Sequence, residues 1–154
     1  MTIAAGLLCS EGVLVCADSQ VTVGTAKLDG SKVGVFETSW GQVIGSFAGN
    51  VDYAAAAFQM IERHADSTEV KSSPIDGIET LLSSRYRSHV WEHPQQDSGD
   101  YDYSLFLGIR LNEENHARLY RTTETILREV RSFDCAGSGE EFGRDILRLH
   151  HPVS

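Results

Sequence analysis

The chain has 154 residues, of which 41% are hydrophobic and 23% charged; this fits a single folded domain over residues 1–154 and excludes a disordered chain. Thirteen Lys and Arg stand against 22 Asp and Glu, a net charge of −9, which excludes a generally basic surface for nucleic acid and disfavours docking on anionic membrane. No apolar run approaches the ~20 residues that span a bilayer, and no signal-peptide pattern opens the chain. Its three cysteines, Cys9, Cys16 and Cys135, form no CxxC pair, so a reduced, cytoplasmic setting is expected.

Thr2 to Leu8 and Gly12 to Ala17 are short apolar runs around a Cys9–Gly12 turn, which predicts an opening β-hairpin. Asp18 to Gly30 is more polar, with turn signals at Gly24 and Asp29-Gly30. Lys32 to Phe36 and Gln42 to Phe47 predict a second hairpin with Ser39-Trp40-Gly41 near its tip. Two helices follow. Val51 to Ala65 is Ala-rich with Asn50 or Asp52 as a cap, and Ile75 to Val90 follows Ser73-Pro74, a Ser N-cap and Pro N1 pattern. Residues 91–101 read as a loop. Tyr103 to Leu111, Ala117 to Thr122 and Ile126 to Cys135 read as strands, and Glu140 to Leu149 as a helix with acidic residues in its first turn. The order ββ-ββ-αα-βββ-α predicts an α+β fold with two sheets packed on each other and helices outside.

The start of the chain carries the first candidate chemistry. Removal of Met1 would leave Thr2 with a hydroxyl nucleophile beside an α-amine whose ordinary pKa is about 8. One residue then supplies both nucleophile and base. Asp18 ends the second strand, close to the chain start across the hairpin, and Lys32 opens the third. A Lys32 ammonium near the hydroxyl would stabilise developing alkoxide charge, Asp18 would hold that ammonium, and the Gly49 N–H could serve an oxyanion.

These segments together resemble the proteasome β-type subunits and the related bacterial two-ring ATP-dependent peptidase, both N-terminal-nucleophile hydrolases. The matching pieces are Thr2-Ile3-Ala4, Gly12 to Ser19, Lys32-Val33, Val43 to Gly49 and Gly137-Ser138-Gly139, in family order along nearly the whole chain. The Thr2 to Asp18 spacing matches without a gap. The Asp18 to Lys32 spacing is two residues shorter, which keeps strand parity. The resemblance implies a four-layer αββα sandwich and a threonine-type peptidase acting on unfolded polypeptide. Thr2 would be the nucleophile, Asp18 and Lys32 its support, the Gly49 N–H an oxyanion donor and Ser138 an auxiliary serine beside the terminal amine. It further implies no cofactor or metal, a homo-oligomeric ring and an ATP-dependent unfoldase as partner. In the family the chain continues further past the Gly-Ser-Gly turn, with closing strands and an Asp near the nucleophile. That shortness, and Met1 if retained, point to the alternative of a catalytically silent structural relative.

A second constellation is His89-Val90-Trp91-Glu92-His93, the H-x-x-E-H order of inverted zinc hydrolases. It falls at a helix end directly before Pro94, with no acid at a recognised third-ligand spacing, so a solvated helix end is the simpler reading. Cys9 and Cys16 read as small packed hydrophobes.

Overall fold

The computed structural model describes residues 2–23, 26–88 and 102–150, with backbone alone over 22–23 and 26–29. Ten strands and four helices follow one another in these segments: β1 (Ala4–Cys9), β2 (Gly12–Ala17), β3 (Gln20–Val23), β4 (Ala26–Asp29), β5 (Val33–Glu37), β6 (Gly41–Gly49), α1 (Val51–His64), α2 (Thr68–Ser72), α3 (Pro74–Tyr86), β7 (Tyr103–Leu111), β8 (Arg118–Thr123), β9 (Ile126–Val130), β10 (Phe133–Ala136) and α4 (Glu140–His150). All pairings are antiparallel. They make a three-stranded sheet in the order β10-β1-β2, a five-stranded sheet β5-β6-β7-β8-β9, and a small ribbon β3-β4. The expected α+β class with packed sheets and outer helices is therefore present.

The alternation of β6 and β7 shows why the layers stack as they do. Val43 and Phe47 on β6, with Leu105, Leu107 and Ile109 on β7, pack in one core with Ala54, Ala57, Phe58 and Ile61 of α1 and Ile78 and Leu82 of α3. Ala48 and Phe106, with opposite parity on the same strands, pack in a second core with Ala4, Val15, Leu119, Val130 and Ala136. One face of the five-stranded sheet thus carries the helices and the other the three-stranded sheet, as the two-residue period of strands requires. Phe58 reaches down between β5 and β6, where its ring covers the cross-strand glycines Gly34 and Gly45; side chains there would collide with the ring. On the far side, α4 lies against β10, and a Cβ at Gly143 would meet Ile3 Cδ1 at 2.8 Å and Cys135 Sγ at 3.0 Å.

Local signals held in most places and failed in three. Asn50 caps α1 by accepting the Tyr53 N–H at 3.2 Å. Ser73 does not cap α3: its hydroxyl donates to Asp76 Oδ2 at 2.7 Å, although Pro74 opens the helix as expected. The polar stretch after Asp18, expected only to turn, holds the β3-β4 ribbon, with Gln20 opposite Asp29 and Val21 opposite Leu28. The stretch Ile126 to Cys135, expected as one strand, is two. Arg131-Ser132 breaks it, so that β9 completes the five-stranded sheet while β10 pairs with β1. Residues 89–93, with the H-x-x-E-H order, lie outside the described residues.

Candidate active site

Four of the five residues singled out in the sequence form a hydrogen-bonded group around the chain start. Thr2 is half-buried and is held through its backbone at both polar atoms. Its nitrogen donates to Ser138 Oγ at 2.8 Å, and its carbonyl accepts the Gly139 N–H at 3.0 Å. The turn that delivers these groups, Gly137-Ser138-Gly139, links β10 to α4 and needs its first glycine. Gly137 has φ +102°, and a Cβ there would run into the Thr2 carbonyl oxygen and approach Ala48 Cβ to 3.2 Å.

The next residue is held from the other side. The Ile3 N–H donates to Asp18 Oδ1 at 2.8 Å, and the Asp18 N–H donates to the Ile3 carbonyl at 3.0 Å. Asp18 sits one residue past β2, whose register with β1 places Ala17 opposite Ala4. Lys32 comes from just before β5, where its carbonyl accepts the Phe47 N–H at 3.2 Å. Its side chain is fully buried, and its Nζ lies 3.2 and 3.1 Å from the two carboxylate oxygens of Asp18. The Gln20 N–H completes the set at 3.1 Å from Oδ2. Burial works against the charge on Asp18, but the Ile3 N–H, the Lys32 ammonium and the Gln20 N–H together hold its carboxyl below the ordinary value.

Gly49 ends β6 at φ +97°, where a Cβ would collide with the Asp102 carbonyl. The ladder fixes the direction of its N–H. Phe47 bonds towards β5, and Asn50 donates to the Asp102 carbonyl at 2.9 Å beyond β7. The intervening Ala48–Gly49 peptide therefore turns the Gly49 N–H away from β7, to the side from which Lys32 enters.

A group that sequence reasoning missed lies behind the turn. Asp134, 8% exposed, accepts from Arg121 Nη1 at 2.8 Å, Arg128 Nη2 at 3.2 Å, and Arg144 Nε and Nη2 at 3.0 and 2.8 Å. Arg121 also lies over the Phe106 ring, 5.8 Å from its centroid. Residues 126–135 carry Arg128, Glu129 and Arg131 besides Asp134, so nothing in the sequence sets this carboxylate apart as the buried one. Among the described residues, no group of three or more His, Cys, Asp or Glu is placed to hold a metal ion, and no helix is long and apolar enough to cross a membrane.

No family model matches the chain, and no match is found among curated proteins. Solved structures do share the fold. Anbu, an ancestral beta-subunit, from Yersinia bercovieri matches with a TM-score of 0.77 at 15% identity, over 99% of this chain and 66% of that one. The Anbu complex from Pseudomonas aeruginosa, solved as a helical assembly, matches with a TM-score of 0.77 at 14% identity, over 96% and 65%. Anbu from Hyphomicrobium sp. strain MC1 gives 0.74 at 18%, over 99% and 66%. The chain spans just under two thirds of the length of these proteins, and the likeness shows the fold. It also corrects the resemblance to proteasome β-type subunits and the two-ring peptidase, because Anbu proteins are proteasome-like but a distinct family. Of the pieces that carried that resemblance, Gly12 to Ser19 runs through β2 and Val43 to Gly49 along β6, while Gly137-Ser138-Gly139 is the turn into α4. They report the architecture and do not separate the families built on it.

Proposed function

We propose that this chain is a peptidase subunit of Anbu-like fold that opens peptide bonds with the Thr2 hydroxyl once Met1 is removed. The observation that carries the reading is the buried Lys32 ammonium on Asp18, whose carboxylate grips the backbone next to Thr2. A buried ion pair is a poor stabiliser, since apolar replacements of equal volume are often neutral or better. A pair kept at the chain start fits a chemical role more readily than a structural one. The packing of α1 and α3 on one sheet, and of α4 on the other, supports the four-layer αββα sandwich of N-terminal-nucleophile hydrolases.

In this reading the Thr2 amine takes the hydroxyl proton as oxygen attacks the peptide carbonyl. The Gly49 N–H and the Lys32 ammonium stabilise the oxyanion and the attacking oxygen. The amine then protonates the leaving nitrogen, an ester to Thr2 remains, and water activated by the same amine releases it. Ser138 holds the amine in place throughout. The substrate class is unfolded polypeptide, which an energy-dependent unfoldase would have to supply. Exposed Phe142, Ile146 and Leu149 on α4, and the helical assembly formed by the Pseudomonas Anbu complex, support a homo-oligomer.

The test uses protein whose mass shows Met1 to be absent, with a fluorogenic peptide as reporter. Thr2→Ala is expected to abolish turnover and Thr2→Ser to retain it. Lys32→Met, which keeps the aliphatic stem, is expected to slow it by ~10²-fold, the equivalent of ~3 kcal/mol in barrier. Turnover that survives Thr2→Ala overturns the reading. Absence of turnover in the Met1-free protein identifies a catalytically silent relative.

A further inference from the structure

We infer that Asp134 and Arg144 are positioning residues for Thr2, because together they fix the turn whose Ser138 hydroxyl holds the Thr2 nitrogen. The inference rests on Thr2 being the reactive residue. The turn has two flanks, the end of β10 and the first turn of α4, and one carboxylate ties down both. Asp134 lies on β10, four residues before Ser138. Its Oδ1 accepts two bonds from Arg144 on α4, and its Oδ2 accepts from Arg121 on β8 and Arg128 on β9. Arg121 reaches on to Glu140, the first residue of α4, at 3.6 Å.

The same cluster closes a sheet edge. β10 is the outer strand of its sheet. β1 bonds to it through even-numbered residues: the Leu8 N–H donates to the Ser132 carbonyl at 2.6 Å, and Gly6 and Ala4 stand opposite Asp134 and Ala136. The N–H and C=O of Cys135 therefore face the free edge. The carbonyl accepts from Arg121 Nη1 at 3.0 Å, and the N–H donates to Asp134 Oδ1 at 2.9 Å. Two side chains thus satisfy what a neighbouring strand would otherwise satisfy, two residues before Gly137. With β10 anchored there and α4 anchored by the arginine fork, Ser138 and Gly139 have little freedom to move away from Thr2. A small rotation of α4 would be enough to lengthen the 2.8 Å bond from the Thr2 nitrogen to Ser138 Oγ.

Asp134→Asn leaves three guanidinium groups around a neutral amide and is expected to unfold much of the chain. The test therefore uses Arg144→Lys, which keeps the charge and loses the two-pronged bond. Arg148→Lys on the exposed side of the same helix, where Arg148 pairs with Asp145 at 3.6 Å, serves as control. In Met1-free protein, the pH midpoint for reductive methylation of the Thr2 amine is read by mass spectrometry. Ser138 accepts from the amine and so favours its protonated form. Arg144→Lys should then lower the midpoint by about half a unit or more, as Ser138→Ala does, and Arg148→Lys should leave it in place. In a Ser138→Ala background Arg144→Lys should add nothing, because it acts through Ser138. A midpoint unmoved by Arg144→Lys, or shifts that add, overturns the inference. The measurement needs no turnover, so a wild-type chain that cleaves no peptide overturns the peptidase reading alone. Where peptide is cleaved, Arg144→Lys should lower kcat about tenfold and leave KM unchanged.

Discussion

The three thiols illustrate how far a side chain's environment decides its chemistry. Cys135 is buried under α4, and burial first, then the neighbouring Asp134 carboxylate, push its thiol up to about 11. At neutral pH it is protonated and shielded, hence inert. Cys16 is exposed, but partial burial still raises its thiol above the ordinary value despite the Ala5 backbone bond. Cys9 is exposed at the β1 end. Iodoacetamide at neutral pH should therefore label Cys9 and Cys16 in the native chain and spare Cys135 until denaturant is added. Peptide mapping checks this, and native labelling of Cys135 would show that α4 does not cover β10. The same residue-scale view explains what the sequence revealed of the site. Asp18 comes back beside Ile3 because a hairpin returns the chain, which strand parity makes legible, and Lys32 reaches Asp18 from the other sheet. Asp134 and its three arginines come from β8, β9, β10 and α4, and no local pattern announces a meeting of four elements.

At the scale of elements, two close approaches depend on missing side chains. The turn between β10 and α4 exists in its observed form because Gly137 takes φ +102° against the Thr2 carbonyl. Gly137→Ala should cost roughly 1–3 kcal/mol in stability from backbone strain alone, and should weaken the hold on Thr2 as well. The helix layer rests on Phe58, whose ring covers Gly34 and Gly45 and meets Phe36 edge-on at 5.6 Å between centroids. Phe58→Ala should cost about 3–5 kcal/mol, read from urea unfolding; a loss below about 1 kcal/mol would mean that α1 collapses into the gap. Local patterning found α3 from its apolar face, α1 from its alanines and cap, α4 from its acidic first turn, and most strands, and it missed the short α2. It joined β9 to β10, because only two residues separate them and it is their pairing partners that tell them apart. It passed over the β3-β4 ribbon, although Gln20–Val23 and Ala26–Asp29 each alternate polar and apolar residues, because four residues make too short a pattern to stand out in a polar stretch.

For the whole molecule, acid is the informative variable. Asp18 and Asp134 are both buried enough to resist ionisation, yet their donors hold both below the ordinary 3.8. The donors are the Ile3 N–H and Lys32 for Asp18, and Arg121 and Arg144 for Asp134. A depressed carboxyl contributes stability that is whole above its unfolded value and is lost as pH falls through its folded value. The unfolding midpoint should therefore vary little between about pH 7 and 5 and drop steeply below about pH 4. A drop already complete by about pH 5 would contradict the assigned donors. Both carboxylates join segments distant in sequence, so the acid transition should release α4 and the chain start together with the sheets. The α+β class and the two-core layering followed from element order and alternation. The likeness to Anbu structures did not, for it is one of fold at 14–18% identity.

The bond from the Thr2 nitrogen to Ser138 spans 136 positions of the chain. During synthesis Thr2 must wait for nearly all the described chain before β10 can pair with β1 and the turn can close on it. The five-stranded sheet carries no such delay, for β6 meets β7 and β7 meets β8 over shorter separations. In refolding, pulsed hydrogen exchange should protect amides of β6 and β7 before the β1 amides that bond to β10, such as that of Leu8. A chain built this way closes the Ser138 contact on Thr2 as one of the last acts of its folding.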